Sequence, residues 1–189
     1  KVQVLRARLV PEAQWPLDAL SLFRSWERWK NSNGYIDFTD MIELTLQQHP
    51  VAPFEPEVGF FDEVQDFTPL ELALVRQWAS NMEYAVLAGD DDQCIYSFKG
   101  STPDAFLNPP IQDAQKRVLS QSYRMPAAVH RYCDAWIKQV TLREPKQYAP
   151  RDYEGQVRHK PNLNYRNPER CIDDAMQYIE QGLRVMLLS

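Results

Sequence analysis

Two short apolar runs, Val58-Gly59-Phe60-Phe61 and Tyr84-Ala85-Val86-Leu87-Ala88, each lead straight into an acidic cluster. Each run reads as a buried strand. Between them Thr68 can cap a helix that opens with Pro69 and carries Leu70, Leu72, Ala73, Val75 and Trp78 on an apolar stripe. A strand, a crossover helix and a second strand close as a right-handed parallel unit. In open sheets of this kind ligands bind just beyond the carboxyl ends of the strands. Asp62-Glu63-Val64-Gln65-Asp66 and Gly89-Asp90-Asp91-Asp92-Gln93 therefore face one crevice, and the expected fold class is α/β.

Acids gathered in one crevice repel each other unless a cation or hydrogen-bond donors neutralise them. An Asp-Glu pair directly after an apolar strand suits a magnesium nucleotide site: the Asp holds Mg²⁺, usually through water, and the Glu orients the attacking water. Such pairs also stand on ordinary solvated surfaces. Gly89-Asp90-Asp91-Asp92 alone reads as a polar turn with an Asp cap. That reading leaves Gln93 and the aromatic run Tyr96-Ser97-Phe98 without a purpose.

Taken together, Asp62-Glu63-Val64-Gln65-Asp66 and Gly89-Asp90-Asp91-Asp92-Gln93-Cys94-Ile95-Tyr96-Ser97-Phe98-Lys99-Gly100 resemble motifs II and III of the UvrD/Rep-like superfamily-one DNA helicases. Leu119-Ser120-Gln121-Ser122-Tyr123-Arg124 is similar to motif IV. Ile36-Asp37-Phe38-Thr39-Asp40-Met41 resembles the short element that precedes motif II. The resemblance implies RecA-like parallel sheets with flanking helices, in parts of two RecA-like domains. Residues 1–34 would be the tail of a helical insertion, 35–112 the later half of the first domain, and 113–189 the start of the second. It further implies an ATP-dependent 3′-to-5′ single-stranded DNA translocase or helicase using ATP and Mg²⁺. Asp62 would hold the metal, Glu63 would position the water and Gln93 would sense the γ-phosphate. Arg124 would act as an arginine finger. Tyr96, Phe98 and Lys99 would meet single-stranded DNA or a single-strand/duplex junction, with Phe98 the stronger stacking candidate; Ile95 and one of the two aromatics have a core alternative.

Departures from the family pattern are small: Lys99 stands where Arg is usual, Cys94 replaces Ser, and Tyr123-Arg124-Met125 leans toward the Upf-like branch. No Gly-x-x-x-x-Gly-Lys-Ser/Thr occurs, although that loop cradles the phosphates in such enzymes. In the resembled family it lies upstream, with motifs V and VI downstream. The stretch is therefore expected to be an internal piece that does not turn over ATP by itself. Alternatives are the helicase part of a helicase-nuclease, or a degenerate module that binds DNA or protein without hydrolysis.

A formal charge of −5 is unlike that of a general nucleic-acid binder, so any DNA contact should be local. Cys94, Cys133 and Cys171 lack metal-ligand or paired spacing, which points to reduced thiols and a cytoplasmic setting. No apolar run approaches membrane-spanning length.

Elsewhere, residues 1–15 read either as a strand or as the end of a helix. Pro16 and Asp18 start a helix through Lys30 that stops at Asn31-Ser32-Asn33-Gly34. Trp26 and Trp29 on it could stack on bases, but aromatics at helical spacing are expected in the core. Asp37 caps a helix to about Gln48, with Asp40 in its first turn, and His49-Pro50 ends it. Lys116–Leu119 reads as a strand. Pro126 starts a helix through Lys138 with Val129, Tyr132, Cys133, Trp136 and Ile137 inward. Glu144–Glu154 reads as a loop, Gln156–His159 as a short strand, Asn167 as the cap of a helix over 168–181, and Arg184–Leu188 as a buried strand. His130 and His159 are assigned surface or capping roles.

Overall fold

Alternation of helix-capping and strand-forming signals sets the order of elements in the first part of the chain. In the computed structural model residues 1–103, 107–108, 111–158 and 168–186 are described. Helices α1 (Val2–Ala7), α2 (Leu17–Asn33) and α3 (Phe38–Gln48) precede strand β1 (Val58–Phe61), helix α4 (Pro69–Ala79) and strand β2 (Tyr84–Leu87). Helices α5 (Ala127–Ile137) and α6 (Glu169–Glu180) follow. By their contacts the residues group into two compact units, Lys1–Ser120 with Trp136–Ala149, and Gln121–Ala135 with Pro150–Ser189.

In the first unit, the expected strand–helix–strand is present. β1 and β2 pair in parallel with Val58 opposite Tyr84 and Phe61 opposite Leu87. Thr68 caps α4 in a reciprocal box: its hydroxyl accepts from the Glu71 amide while the Glu71 carboxylate accepts from the Thr68 amide. Asp37 and Asp40 form the same device at the start of α3. Gly34, at φ 69°, ends α2 in the left-handed conformation that glycine adopts without steric cost. Residues 2–7, left open between strand and helix, are the single-turn helix α1.

The core lies among the helices. Leu70, Leu72 and Val75 of α4 are buried together with Val64, Ala7, Ala19, Ala52 and Trp15, and α3 packs on α4 and α1. The strands, expected to be buried, are not. Phe60 is 78% exposed and Tyr84 61%, because the two strands form the whole described sheet and the helices pack mainly on one another. A parallel sheet is buried only when helices cover both of its faces.

Trp26 and Trp29 also depart from expectation. They stack on each other with centroids 5.1 Å apart, Tyr35 continues the stack at 5.5 Å, and all three are exposed. The buried residues of α2 are Ala19 and Lys30. Lys30, 2% exposed, reaches Glu27 at 2.6 Å, Asp37 at 2.9 Å and Asp40. Arg6 binds Asp37, Asp40 and Glu43 from the other side. The inward face of α2 thus holds an ionic cluster rather than tryptophans. Burial disfavours the Asp37 carboxylate, but hydrogen bonds from the Asp40 amide, Lys30 and Trp26 outweigh it and hold its pKa below the usual range. Burial likewise opposes the Lys30 charge, and its acidic partners raise its pKa nonetheless.

In the second unit, the amides of Ala127 and Ala128 at the start of α5 donate to the carbonyls of Tyr153 and Glu154. Gly155, at φ 68°, lies so close to Pro126 that a Cβ there would meet the ring carbon at 2.5 Å. Tyr132 and Cys133, expected inward on α5, are exposed, as is Trp136, which follows in the first unit. Lys116–Leu119 of the first unit joins no sheet ladder, and neither do residues 156–158 or 184–186 of the second. These segments are polar or exposed and have no described partner strand to satisfy their backbone. His159, Asn167 and residues 187–189 lie outside the described residues.

Candidate active site

The site grows from the way β1 and β2 end. The ladder runs one step past the strands: the Ala88 amide donates to Phe61 O at 2.8 Å and the Val64 amide to Ala88 O at 3.0 Å. This brings the two acidic segments side by side. At Glu63 the backbone turns through φ 53°, a left-handed conformation that is uncommon for a residue with a side chain. The turn sends Val64 and Gln65 inward, 1% and 2% exposed, and leaves Asp62 and Glu63 at the surface.

Gln65 joins the two segments. Its Nε2 donates to Glu63 Oε2 at 2.7 Å, and its Oε1 accepts from the Asp90 amide at 2.9 Å. A carboxylate can only accept and an amide N–H can only donate, so the Gln65 side chain has one orientation here. Gly89 makes room for it: a Cβ at 89 would lie 2.6 Å from Gln65 Oε1 and 3.2 Å from the Val64 nitrogen.

Asp90 is the next node. Its Oδ2 accepts from Gln93 Nε2 at 2.7 Å, and its Oδ1 accepts from the Asp92 amide at 3.2 Å and from Lys146 at 2.8 Å. The cap expected of a polar turn is therefore present, alongside contacts that a turn does not need. Lys146 also pairs with Asp91 and approaches Asp92 at 3.4 Å. Arg143 grips Asp92 with two hydrogen bonds of 2.8 and 2.7 Å, and the Glu144 amide donates to Asp91 at 2.6 Å. Two protein cations thus offset most of the charge of the triple-Asp cluster. Burial raises the Asp90 pKa, but hydrogen bonds from Gln93 and Lys146 overcome that and keep it below the usual carboxylate range.

Sequence reasoning gave no role to Gln65, Arg143 or Lys146. Glu144–Glu154 reads as a polar loop, and only the need of three adjacent acids for a counter-charge, met by the Arg-x-x-Lys spacing of 143 and 146, pointed there.

A cavity of about 340 Å³ is lined by Glu63, Gln65, Asp66, Asp92, Gln93, Ile95 and Tyr96. Asp66, which lines it, has a buried Oδ1 with no hydrogen-bond partner among the described residues. Asp62 spends one oxygen on the Glu63 amide at 2.9 Å. Exposed carboxylate oxygens of this kind are the hard donors that Mg²⁺ takes, so the residues present fit that ion.

Next to the cavity, Tyr96 and Phe98 meet edge to face with centroids 5.8 Å apart, and Lys99 Nζ stands 4.3 Å over the Tyr96 ring. Phe98 is 68% exposed. Ile95, for which the core was an alternative, is 70% exposed. Arg8 braces the turn through the carbonyls of Ser97 and Gly100. The structure thus gathers Asp62, Glu63 and Gln93 at the strand ends and Tyr96, Phe98 and Lys99 beside them. Arg124 belongs to the second unit, exposed, just after a turn in which the Ser122 hydroxyl accepts from its amide at 3.4 Å.

Residues 17–112 match the model of the UvrD/REP helicase N-terminal domain. The chain is 25% identical over 186 residues to YjcD of Bacillus subtilis (strain 168), which carries the name of an ATP-dependent DNA helicase. It is 31% identical over 164 residues to a DNA helicase II homologue of Mycoplasma capricolum, and 25% identical over 135 residues to the ATP-dependent DNA helicase PcrA of Staphylococcus aureus. These matches cover 93%, 78% and 67% of this chain but only 24%, 23% and 18% of the relatives. No described helix is long and apolar enough to cross a membrane. With more than half of its length matched by the family model, on the residues that carry the two acidic segments, the chain belongs to the UvrD/REP helicase family.

Proposed function

We propose that this chain forms part of the ATPase cleft and single-stranded DNA contact of an ATP-driven 3′-to-5′ DNA translocase or helicase. The observation that carries the reading is the Glu63–Gln65–Asp90–Gln93 hydrogen-bond path, which ties a water-orienting carboxylate to a phosphate-sensing amide at the ends of two parallel strands. In this reading residues 35–112 are the later half of a first RecA-like domain, residues 1–34 the tail of its helical insertion and residues 113–189 the start of a second. The protein would act on DNA in the cytoplasm.

Asp62 would hold Mg²⁺, which when bound supplies charge neutralisation on the phosphates. Glu63 Oε2 is fixed by Gln65, which leaves its other oxygen to orient and polarise the attacking water. Gln93, held by Asp90, would hydrogen-bond the γ-phosphate and report its loss. Arg124 would add a cation to the transition state, an arrangement that is worth about 10³ to 10⁵ in rate where an arginine finger is used. Phe98 and Tyr96 would stack on bases at about 1 to 3 kcal/mol each, in a sequence-tolerant way, and Lys99 would contact a phosphate. The decisive experiment measures ATP hydrolysis by the protein from its complete reading frame, with and without single-stranded DNA, beside Glu63→Gln. DNA-stimulated turnover that collapses in Glu63→Gln is expected. Absence of turnover with DNA binding retained would instead favour a non-hydrolysing module.

A further inference from the structure

The Asp90–Asp91–Asp92 cluster is held by cations that come from more than fifty residues away. Lys146 is only 7% exposed at its side chain and meets all three aspartates, while Arg143, 15% exposed, takes Asp92 in a two-pronged grip. The backbone between them joins in through the Glu144 amide on Asp91. Residues 143–146 therefore act as one strap rather than as two independent ion pairs.

What the strap holds matters more than the pairs themselves. Asp90 Oδ1 accepts from Lys146 while Oδ2 accepts from Gln93, so the lysine fixes the plane of the carboxylate that aims the Gln93 amide. The Asp90 amide in turn fixes Gln65, which fixes Glu63. One residue thus orients both the sensor and the water-positioning base, and its side chain is anchored by Lys146. Exposed surface pairs usually contribute little because solvent screens them. These pairs are withdrawn from solvent and share a hub, so their loss displaces the hub.

We propose that Lys146, supported by Arg143, is a positioning residue of the ATPase site, acting through Asp90 on Gln93 and Glu63. This rests on the function proposed above. The segment Trp136–Ala149 that carries the strap continues α5, whose first residues belong to the second unit. The strap thereby puts the setting of Gln93 on the same stretch of chain as a helix that begins in that unit.

The test uses the protein from its complete reading frame with Lys146→Met, Lys146→Arg and the exchange pair Arg143→Asp with Asp92→Arg. The DNA-stimulated kcat, divided by the fraction of protein that binds a fluorescent ATP analogue, does not depend on the folded fraction, so a merely structural role leaves it unmoved. It should fall about 10- to 100-fold in Lys146→Met, the scale on which small misplacements of catalytic groups cost rate. The KM for ATP should change far less. Lys146→Arg should recover most of that rate, and the exchange pair should recover more than either single change. Amide hydrogen exchange at Gly89–Cys94 should rise in Lys146→Met while that of α4 stays unchanged. A preserved kcat per nucleotide-binding protein in Lys146→Met, or unaltered exchange at Gly89–Cys94, overturns the proposal. If the wild-type protein shows no hydrolysis, the functional reading fails, and the exchange result still decides whether Lys146 holds the cluster.

Discussion

Replacing Lys30 by Met keeps most of the side-chain volume and removes one charge from the middle of the cluster on α2 and α3. Lys30 Nζ lies within hydrogen-bonding distance of Glu27, Asp37 and Asp40, and the side chain is 2% exposed. Afterwards Arg6 would be left to face Asp37, Asp40 and Glu43, and Glu27 would lose its ion pair with Lys30. Breaking a buried ionic network from one side leaves uncompensated charge and costs about 3 to 5 kcal/mol. With a urea slope of roughly 2 kcal/mol per molar, the unfolding midpoint should drop by about 2 M. The measurement is equilibrium urea unfolding followed by circular dichroism at neutral pH. Asp37→Asn in the Lys30→Met background should recover part of the loss, because Asn still caps α3 while shedding a charge. A loss under about 1 kcal/mol, the size expected of a screened surface pair, would refute the view that this cluster is a buried structural unit.

Two further outcomes follow from the same geometry. Gly89→Ala should lower stability by about 1 to 3 kcal/mol, the usual cost of overpacking, because the new methyl would meet Gln65 Oε1 at 2.6 Å; an unchanged urea midpoint would count against Gln65 as the link between the acidic segments. The pH profile should be a plateau with two edges. Asp37, Asp40 and Asp90 have pKa values held below the unfolded value of about 4, so their contribution is complete above that pH and is lost as pH falls toward the lowered values. Lys30 and Lys146 are raised above the unfolded value of about 10.4, so theirs is complete below that pH and is lost as pH rises through the raised values. Urea midpoints measured across that range check both edges, and a midpoint that stays constant down to pH 3 would contradict the acidic one.

What could be read from the sequence was what short-range chemistry controls. Thr68-Pro69-x-Glu71 and Asp37-x-x-Asp40 place their helix starts because a cap needs partners only three residues away. The strand ends at Phe61 and Leu87 follow from apolar runs that stop at acids. Lys30 and Lys146 escaped notice because their partners lie on other elements and because a lysine is ordinarily expected at the surface. Trp26 and Trp29 erred in the opposite direction: helical spacing says which residues share a face, but not whether an ionic cluster claims the inward one. The strand expected at 116–119 rests on two apolar residues, Val118 and Leu119, and of the one expected at 184–188 the described residues 184–186 join no ladder; stretches this short carry too little pattern to fix a strand.

If Glu63 serves as proposed, the fold and the reaction are set against each other at this single position. Its left-handed backbone would be relaxed by glycine, since a side chain in that region costs roughly 1 to 2 kcal/mol. Glycine would also delete the carboxylate. A selection for thermal endurance alone would drift toward glycine at 63 and discard the proposed chemistry on the way, whereas a selection for turnover would keep the glutamate and the strain together. Stability-guided redesign of this domain should therefore hold position 63 fixed and look for its gains elsewhere in the scaffold.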